Sequence, residues 1–363
     1  MQTSFVGLPV SELDTPALLV DLDALERNIS GMARDIATLG AAWRPHTKAL
    51  KTPAIAHKEL AAGAIGVTVA KLGEAEVMAA SGIRDILIAN QIVGEIKTRR
   101  LAALCRQVDL IVAVDSLDGL RQLDDAARRQ GTRPRVVVEV DTGMNRAGVD
   151  PVDVVTLAHE IAACDGLRFA GVMSWEGHAG GISDPEVREQ AIRDAVGLLV
   201  TSAEACREAG LPVDIVSCGG TETYLVSAGI PGVTEVEAGG GVFGDAWYIE
   251  AGARVEPALT LLAHVTSRPK PDCVIIDAGR KTIDPTKRPP SVRGLPVTQP
   301  MRFSTEHGII HLDVPCPEPR VGDRLELGIG YSDQIVHLHE ALYGVRNGIV
   351  EVVWPVAARG KLQ

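Results

Sequence analysis

A chain of 363 residues is long enough for about two domains, one of them a barrel, and for an enzyme with a buried site. Its 46% hydrophobic and 23% charged residues, with 37 glycines and only four each of Phe, Trp and Tyr, exclude a disordered or fibrous chain and describe a soluble α/β protein. The formal net charge of −11 repels a phosphate backbone, so nucleic acid is not an expected partner.

From Leu18 to about Gly240, short apolar runs alternate with longer amphipathic ones. The runs expected as strands are 18–22, 42–47, 66–70, 86–89, 110–114, 136–140, 169–173, 215–218 and 233–237, several of them continuously hydrophobic, as strands buried on both faces are. Helices are expected between them: Asp23 precedes ALERNISGMARDI, Ser116 precedes LDGLRQLDDAARR, and Asp184 precedes a long run that has Pro185 at its first position. About eight strand–helix units with no GxGxxG turn opening the series favour a (β/α)8 TIM-type barrel over an open doubly wound sheet. After about Glu256 the runs LTLLAHVTS, DCVIIDAG, GIIHLDV and GIVEVVW, separated by Pro/Gly/Asp turns, predict a second, mostly antiparallel β domain. The expected division is a barrel over 16–256 and a β domain over 257–363 together with 1–15.

No apolar run along the chain approaches the roughly 18 residues of a spanning helix, so no membrane partner is expected. The first 13 residues lack the basic start and apolar core of a signal peptide, which points to the cytoplasm. Cys105, Cys164, Cys206, Cys218, Cys273 and Cys316 form no CxxC pair, which suggests neither a disulfide framework nor a thiolate zinc site, and they are expected as reduced, mostly buried thiols.

Active sites of such barrels are built from residues at the C-terminal strand ends. Those ends carry His46 and Lys48, Lys71, Asn90 and Gln91, Asp115, Asp141 with Arg146, Trp175 with Glu176 and His178, Cys218 to Thr221, and Glu237 with Gly239 to Gly241. Lys48 lies among Arg44, His46 and Lys51, and cationic neighbours lower a lysine pKa toward the nucleophilic range; the same cluster also reads as a solvated basic loop. Two glycine-rich turns, Cys218-Gly-Gly-Thr-Glu-Thr and Ala238-Gly-Gly-Gly, each follow an expected strand, and the exposed N–H groups of such turns hold phosphate, although mobile turns look alike. A lysine beside a phosphate cradle suggests pyridoxal 5'-phosphate.

Three motifs carry a family resemblance: Thr15-Pro-Ala-Leu-Leu-Val-Asp-Leu-Asp-Ala-Leu-Glu-Arg-Asn, Arg44-Pro-His-Thr-Lys48-Ala-Leu-Lys-Thr and Gly66-Val-Thr-Val-Ala-Lys-Leu-Gly-Glu-Ala-Glu. With Asp141-Thr-Gly-Met-Asn-Arg-Ala-Gly-Val, Glu306-His-Gly and Gly344-Val-Arg-Asn-Gly-Ile-Val-Glu-Val-Val-Trp, the chain resembles the D-threonine aldolase, 3-hydroxyaspartate aldolase and D-serine dehydratase family of fold-type III pyridoxal phosphate enzymes, which share the alanine racemase barrel. The resemblance implies Lys48 as the Schiff-base lysine, with Lys51 as the fallback. It implies Thr221, Gly239 and Gly240 as phosphate ligands, Tyr248 reaching the same phosphate, Gly219 and Gly220 giving close backbone approach, and a homodimer.

The chain departs from that family at its metal. Where the aldolases and dehydratases carry a His-x-Asp or His-x-Cys ligand pair, this chain reads Ile329-Gly-Tyr331-Ser-Asp333, so the imidazole position holds Tyr331 and only Asp333 remains as a candidate metal ligand. One carboxylate without an imidazole is a poor transition-metal site, so a divalent metal is left open. His337 and His339 lie nearby, with the spacing of ordinary strand residues. The segment is similar instead to the Ile-Gly-Tyr-Ala-Asp of alanine racemases, which implies Tyr331 as an acid/base residue on the cofactor face opposite Lys48. Glu237 stands where racemases have arginine; a carboxylate there keeps the pyridine nitrogen protonated and favours C–C cleavage or elimination over racemisation. The expected activity is retro-aldol cleavage of a D-3-hydroxy amino acid to glycine or a similar amino acid plus an aldehyde, with Tyr331, Asp333 and His178 as candidate bases. Dehydration to a keto acid, racemisation by Lys48 and Tyr331, and a cofactor carrier without turnover are the alternatives.

Overall fold

The computed structural model describes residues 5–363; the part of the expected β domain that falls on residues 1–4 lies outside the described residues. The chain divides into two compact units, one built from residues 32–48, 55–239 and 360–363 and the other from residues 5–31, 49–54 and 240–359.

The strands of the first unit are β2 (Ala42–Trp43), β3 (Val67–Val69), β4 (Asp85–Gln91), β5 (Asp109–Val114), β6 (Arg135–Glu139), β7 (Arg168–Met173), β8 (Ile215–Cys218) and β9 (Glu235–Val236). They form one parallel sheet in the order β2-β9-β8-β7-β6-β5-β4-β3, and a parallel bridge between His46 and Thr68 joins its two ends into a (β/α)8 barrel. The helices on its outside include α2 (Pro53–Ala61), α3 (Leu72–Ala80), α4 (Glu95–Leu104), α5 (Leu117–Gln130), α6 (Val154–Ala162), the short α7 (Gly177–Gly180), α8 (Pro185–Glu208) and α9 (Tyr224–Ser227). The hydrophobic runs are continuous because alternate residues serve two cores. Leu87, Ile111, Ala113, Val137, Ala170, Met173 and Ile215 fill one core, while Ile86, Ile88, Leu110, Val112, Val136 and Val138 pack with helix residues such as Leu101, Leu123 and Leu157 in the other. Helices start where their caps predict: Ser116 Oγ accepts from Gly119 N, and Asp184 accepts from Glu186 N and Val187 N ahead of Pro185.

The second unit is a nine-stranded, mostly antiparallel sheet. Its strands are β1 (Ala17–Asp21), β10 (Leu259–Lys270), β11 (Cys273–Ile276), β12 (Ser291–Val292), β13 (Arg302–Phe303), β14 (Gly308–His311), β15 (Arg324–Gly328), β16 (Ala341–Arg346) and β17 (Ile349–Pro355). The path β13-β14-β11-β10-β1-β16-β17 is extended by β15, which pairs with β10 and β12. Here the sequence expectation needs correcting. The run 18–22, expected as a barrel strand, lies between β10 and β16 in this sheet, with Leu18 opposite Leu261 and Leu342. Its four buried residues in a row fit a central strand of either sheet, and a hydrophobic run does not say which. Helix α1 (Leu22–Leu39) accordingly starts one residue before the expected cap, and Asp21 rather than Asp23 accepts from Ala24 N, at 3.0 Å. A further short helix, α10 (Ala246–Glu250), also belongs to this unit. Among the described residues no helix is long and apolar enough to cross a membrane, and all six cysteines are free thiols, three of them buried.

Candidate active site

In the barrel unit, the segment after β2 is locked to the segment around β9. Arg44 N donates to Val236 O at 3.0 Å, His46 N to Glu237 O at 2.9 Å, and Trp43 Nε1 to Ala238 O at 2.6 Å. Beneath them the buried Arg44 guanidinium forms a two-point pair with Glu235. Lys48 emerges half-buried from this zipper, with its N–H directed to His46 Nδ1 at 3.3 Å and its ammonium 5.9 Å from the Trp175 ring centroid. A Cβ on Gly239 would lie 2.3 Å from His46 O, so only glycine allows that approach.

Glu237 is buried in the same unit. Ser217 Oγ donates to its Oε1 at 2.9 Å, and burial, reinforced by Glu235, pushes its pKa up to about 8. The ion pair with Arg44 belongs to Glu235, not to Glu237.

The loop after β8 is held from below by Glu176. Its carboxylate accepts from Thr223 Oγ1 and Ser227 Oγ, both at 2.6 Å, and from Gly219 N at 3.3 Å. Gly220 N donates to Thr223 Oγ1, and a Cβ on Gly220 would lie 2.4 Å from the Trp175 ring. The N–H groups of Gly219 and Gly220 are therefore engaged, by Glu176 and Thr223 respectively, and Thr221 sits buried beside them. His178, at the start of α7, is exposed and lies against Gly143 in the loop that follows β6.

The sheet unit gathers Gly240, Asp245, Tyr248, Tyr331, Ser332 and Asp333. Tyr248 is buried, and its phenol donates to Asp333 Oδ1 at 2.8 Å; burial and that carboxylate hold the phenol well above its ordinary pKa. Half-buried Tyr331 packs edge-on against Tyr248, with ring centroids 5.7 Å apart, and against Trp247 at 6.3 Å, over whose ring the Lys287 ammonium also lies. Lys51 falls in this unit, and its carbonyl accepts from Ala358 N. His339 is engaged with Thr282 O at 2.9 Å, and burial lowers the pKa of both His337 and His339. Among the described residues no three His, Cys, Asp or Glu side chains are grouped to hold a metal ion.

Three participants escaped sequence reasoning: Ser217, Ser332 and Asp245. Asp245 left a readable signal, an Asp directly before the helical run Ala-Trp-Tyr-Ile-Glu, where its side chain accepts from Tyr248 N. The serines left none.

Barrel and sheet together define an alanine racemase-like protein. The family profile described as the alanine racemase N-terminal domain matches residues 20–246, and the one described as a putative serine dehydratase domain matches residues 258–345. The D-threonine aldolase of Arthrobacter sp is 35% identical over 359 residues, 98% of this chain and 95% of that protein. The 3-hydroxy-D-aspartate aldolase of Paracoccus denitrificans (strain Pd 1222) is 34% identical over 98% of this chain and 94% of that protein. The crystal structure of D-threonine aldolase from Filomicrobium marinum matches with a TM-score of 0.95 at 35% identity, covering 99% of this chain and 98% of that one. The chain belongs to this family of D-threonine and 3-hydroxy-D-aspartate aldolases, and it is an enzyme, a lyase of the retro-aldol type.

Proposed function

We propose that this lyase uses pyridoxal 5'-phosphate to cleave a D-3-hydroxy amino acid into glycine, or a similar small amino acid, and an aldehyde. The observation that carries the reading is Glu237. A buried carboxyl with one serine hydroxyl as donor, its pKa raised to about 8, fits a ring nitrogen with which it shares a proton. Lys48, Thr221 and Gly239 of the barrel unit fit the same group, the lysine for its aldehyde carbon and the other two for its phosphate, while Gly219 and Gly220 shape the loop; Gly240, in the sheet unit, is the further phosphate ligand that the family motif implies.

When bound, pyridoxal phosphate supplies a conjugated ring that accepts the electron pair left at the substrate α-carbon. Lys48 would hold the cofactor, and its amine is the group that the substrate amine would replace. Glu237 would keep a proton on the ring nitrogen. Tyr331, as its phenolate, would take the proton of the substrate β-hydroxyl as the Cα–Cβ bond breaks and the aldehyde carbonyl forms, with Asp333 and His178 as the other candidate bases. A proton from solvent at Cα would complete glycine, and Tyr331 would return its own proton to solvent. Because an imidazole is replaced by Tyr331, the reading assigns this proton transfer to the phenol rather than to a metal held by Asp333. The protein acts as a cytoplasmic homodimer on this reading.

Racemisation is the second reading, and Tyr331 in its Ile-Gly-Tyr-Ser-Asp setting favours it. Incubation of the loaded protein with paired D- and L-3-hydroxy amino acids separates the possibilities. Glycine and aldehyde from the D series are expected. Keto acid and ammonia, or the inverted enantiomer, would replace the proposal by dehydration or racemisation.

A further inference from the structure

Asp245 is a buried carboxylate, 2% exposed, that no step above uses. Its Oδ1 accepts from Tyr248 N at 3.0 Å and caps α10. Its Oδ2 accepts from both Ser332 N, at 2.7 Å, and Ser332 Oγ, at 2.6 Å. An N-cap needs one oxygen, which Ser, Thr or Asn supplies without burying a charge. The second oxygen of Asp245 reaches across to the residue between Tyr331 and Asp333. Two main-chain bonds extend the same weld, Ala246 N to Ile329 O and Trp247 N to Gly330 O, both at 3.0 Å. The segment has no slack on its other side, since a Cβ on Gly330 would lie 2.0 Å from Arg288 O. The Tyr331 ring then lies edge-on to two residues of the same helix, Trp247 and Tyr248.

We propose that Asp245 is a positioning residue: it clamps the Tyr331–Asp333 turn to α10 and so fixes where the phenol and the carboxylate stand for proton transfer. The inference rests on the retro-aldol reading, in which those two groups act. Asp245 holds the turn by the bonds it accepts from Ser332 N and Ser332 Oγ. Its effect passes through Ser332, and small displacements of reacting groups are costly, about 10²-fold in rate for 1 Å.

The test uses the pyridoxal phosphate-loaded protein and the variants Asp245→Asn, Ser332→Ala and the double variant, assayed on a D-3-hydroxy amino acid. Asp245→Asn is expected to lower kcat about 10²-fold and Ser332→Ala about 10-fold, with KM changed less than about 2-fold. Because both act through one contact, the double variant is expected to be no slower than Asp245→Asn. The visible absorbance of the loaded protein and its Kd for pyridoxal phosphate stay at wild-type values, while the near-ultraviolet circular dichroism of the Trp247–Tyr331 cluster changes. A merely stabilising role would lower Tm and leave kcat intact. Wild-type kcat in a folded Ser332→Ala variant, or additive losses in the double variant, would overturn the assignment while the cleavage reading stands. Absence of cleavage by the wild-type protein would instead overturn the reading beneath it.

Discussion

The Tyr248 phenol points its proton at Asp333 Oδ1, 2.8 Å away, and Gly240 lies against both partners. A Cβ on Gly240 would stand 2.7 Å from the Tyr248 ring and hydroxyl and 2.9 Å from the Asp333 carboxylate. Neither neighbour is a loose chain end, since Tyr248 is buried and Asp333 sits in a turn tied down through Ser332. Gly240→Ala is therefore expected to cost about 1 to 3 kcal/mol of stability by overpacking and at least about 10-fold in kcat. Thermal unfolding and steady-state rates check it, and a variant with wild-type values of both would show that the contact yields freely.

Lys48 and Lys51 compete for one role in the sequence, and the structure assigns them to different units. Lys48 stands in the barrel unit beside Trp175, and Lys51 in the sheet unit. Lys48→Ala should abolish the visible absorbance of the pyridoxal phosphate-loaded protein, and Lys51→Ala should retain it. An unchanged spectrum in the Lys48 variant contradicts the assignment.

Much of this was legible in the sequence, and the reasons differ by element. The barrel was readable because its strands bury both faces and so lack alternation, as at Leu110–Val114, and because Ser116 and Asp184 cap the helices that follow. Strand β1 was assigned to the wrong sheet because Ala17–Val20 is also buried on both faces, and pairing partners in β10 and β16, at the far end of the sequence, leave no local trace. Lys48 and Glu237 were singled out through motif position. Glu176 was noted only as one residue of a strand end, since nothing local reveals that it holds Gly219, Thr223 and Ser227. Gly219 and Gly220 were expected to admit a cofactor, yet the structure gives each a requirement of its own, against Val236 and Trp175.

Tyr331 in place of an imidazole leads to a graded expectation for metal. A hydrated Mg²⁺ tolerates one carboxylate, but a catalytic transition-metal site takes about three protein ligands. Prolonged chelation should leave most of the activity, whereas Tyr331→Phe should remove about 10² to 10⁴ in rate, the usual worth of a positioned acid/base group. Loss of turnover on chelation with rescue by Mn²⁺, together with a harmless Tyr331→Phe, would return the role to a metal.

Glu59 gives a stability prediction independent of catalysis. Both its carboxyl oxygens are buried in α2 without a hydrogen-bond partner among the described residues, and burial alone raises its pKa well above 4.5. The folded form thus holds its proton where the unfolded chain has released it. Stability from this group is complete below pH 4.5 and is lost as pH rises toward the folded pKa. Glu237, raised to about 8, acts in the same direction. Glu59→Leu should flatten part of that decline in cofactor-free protein and raise Tm at pH 8 by about 2 to 4 °C. A lower Tm at pH 8 would mean that the carboxyl is partnered in solution.

The proposed function turns on carbon–carbon cleavage with Glu237 holding a proton on the cofactor's ring nitrogen. Its most direct test is product analysis by proton NMR after turnover of a D-3-hydroxy amino acid in D₂O. Glycine carrying deuterium at Cα and aldehyde are expected in equal amounts, with none from the L-configured partner, and turnover is expected to slow in Glu237→Arg far more than substrate binding weakens. Keto acid with ammonium, or deuterated substrate of inverted configuration without aldehyde, would contradict it.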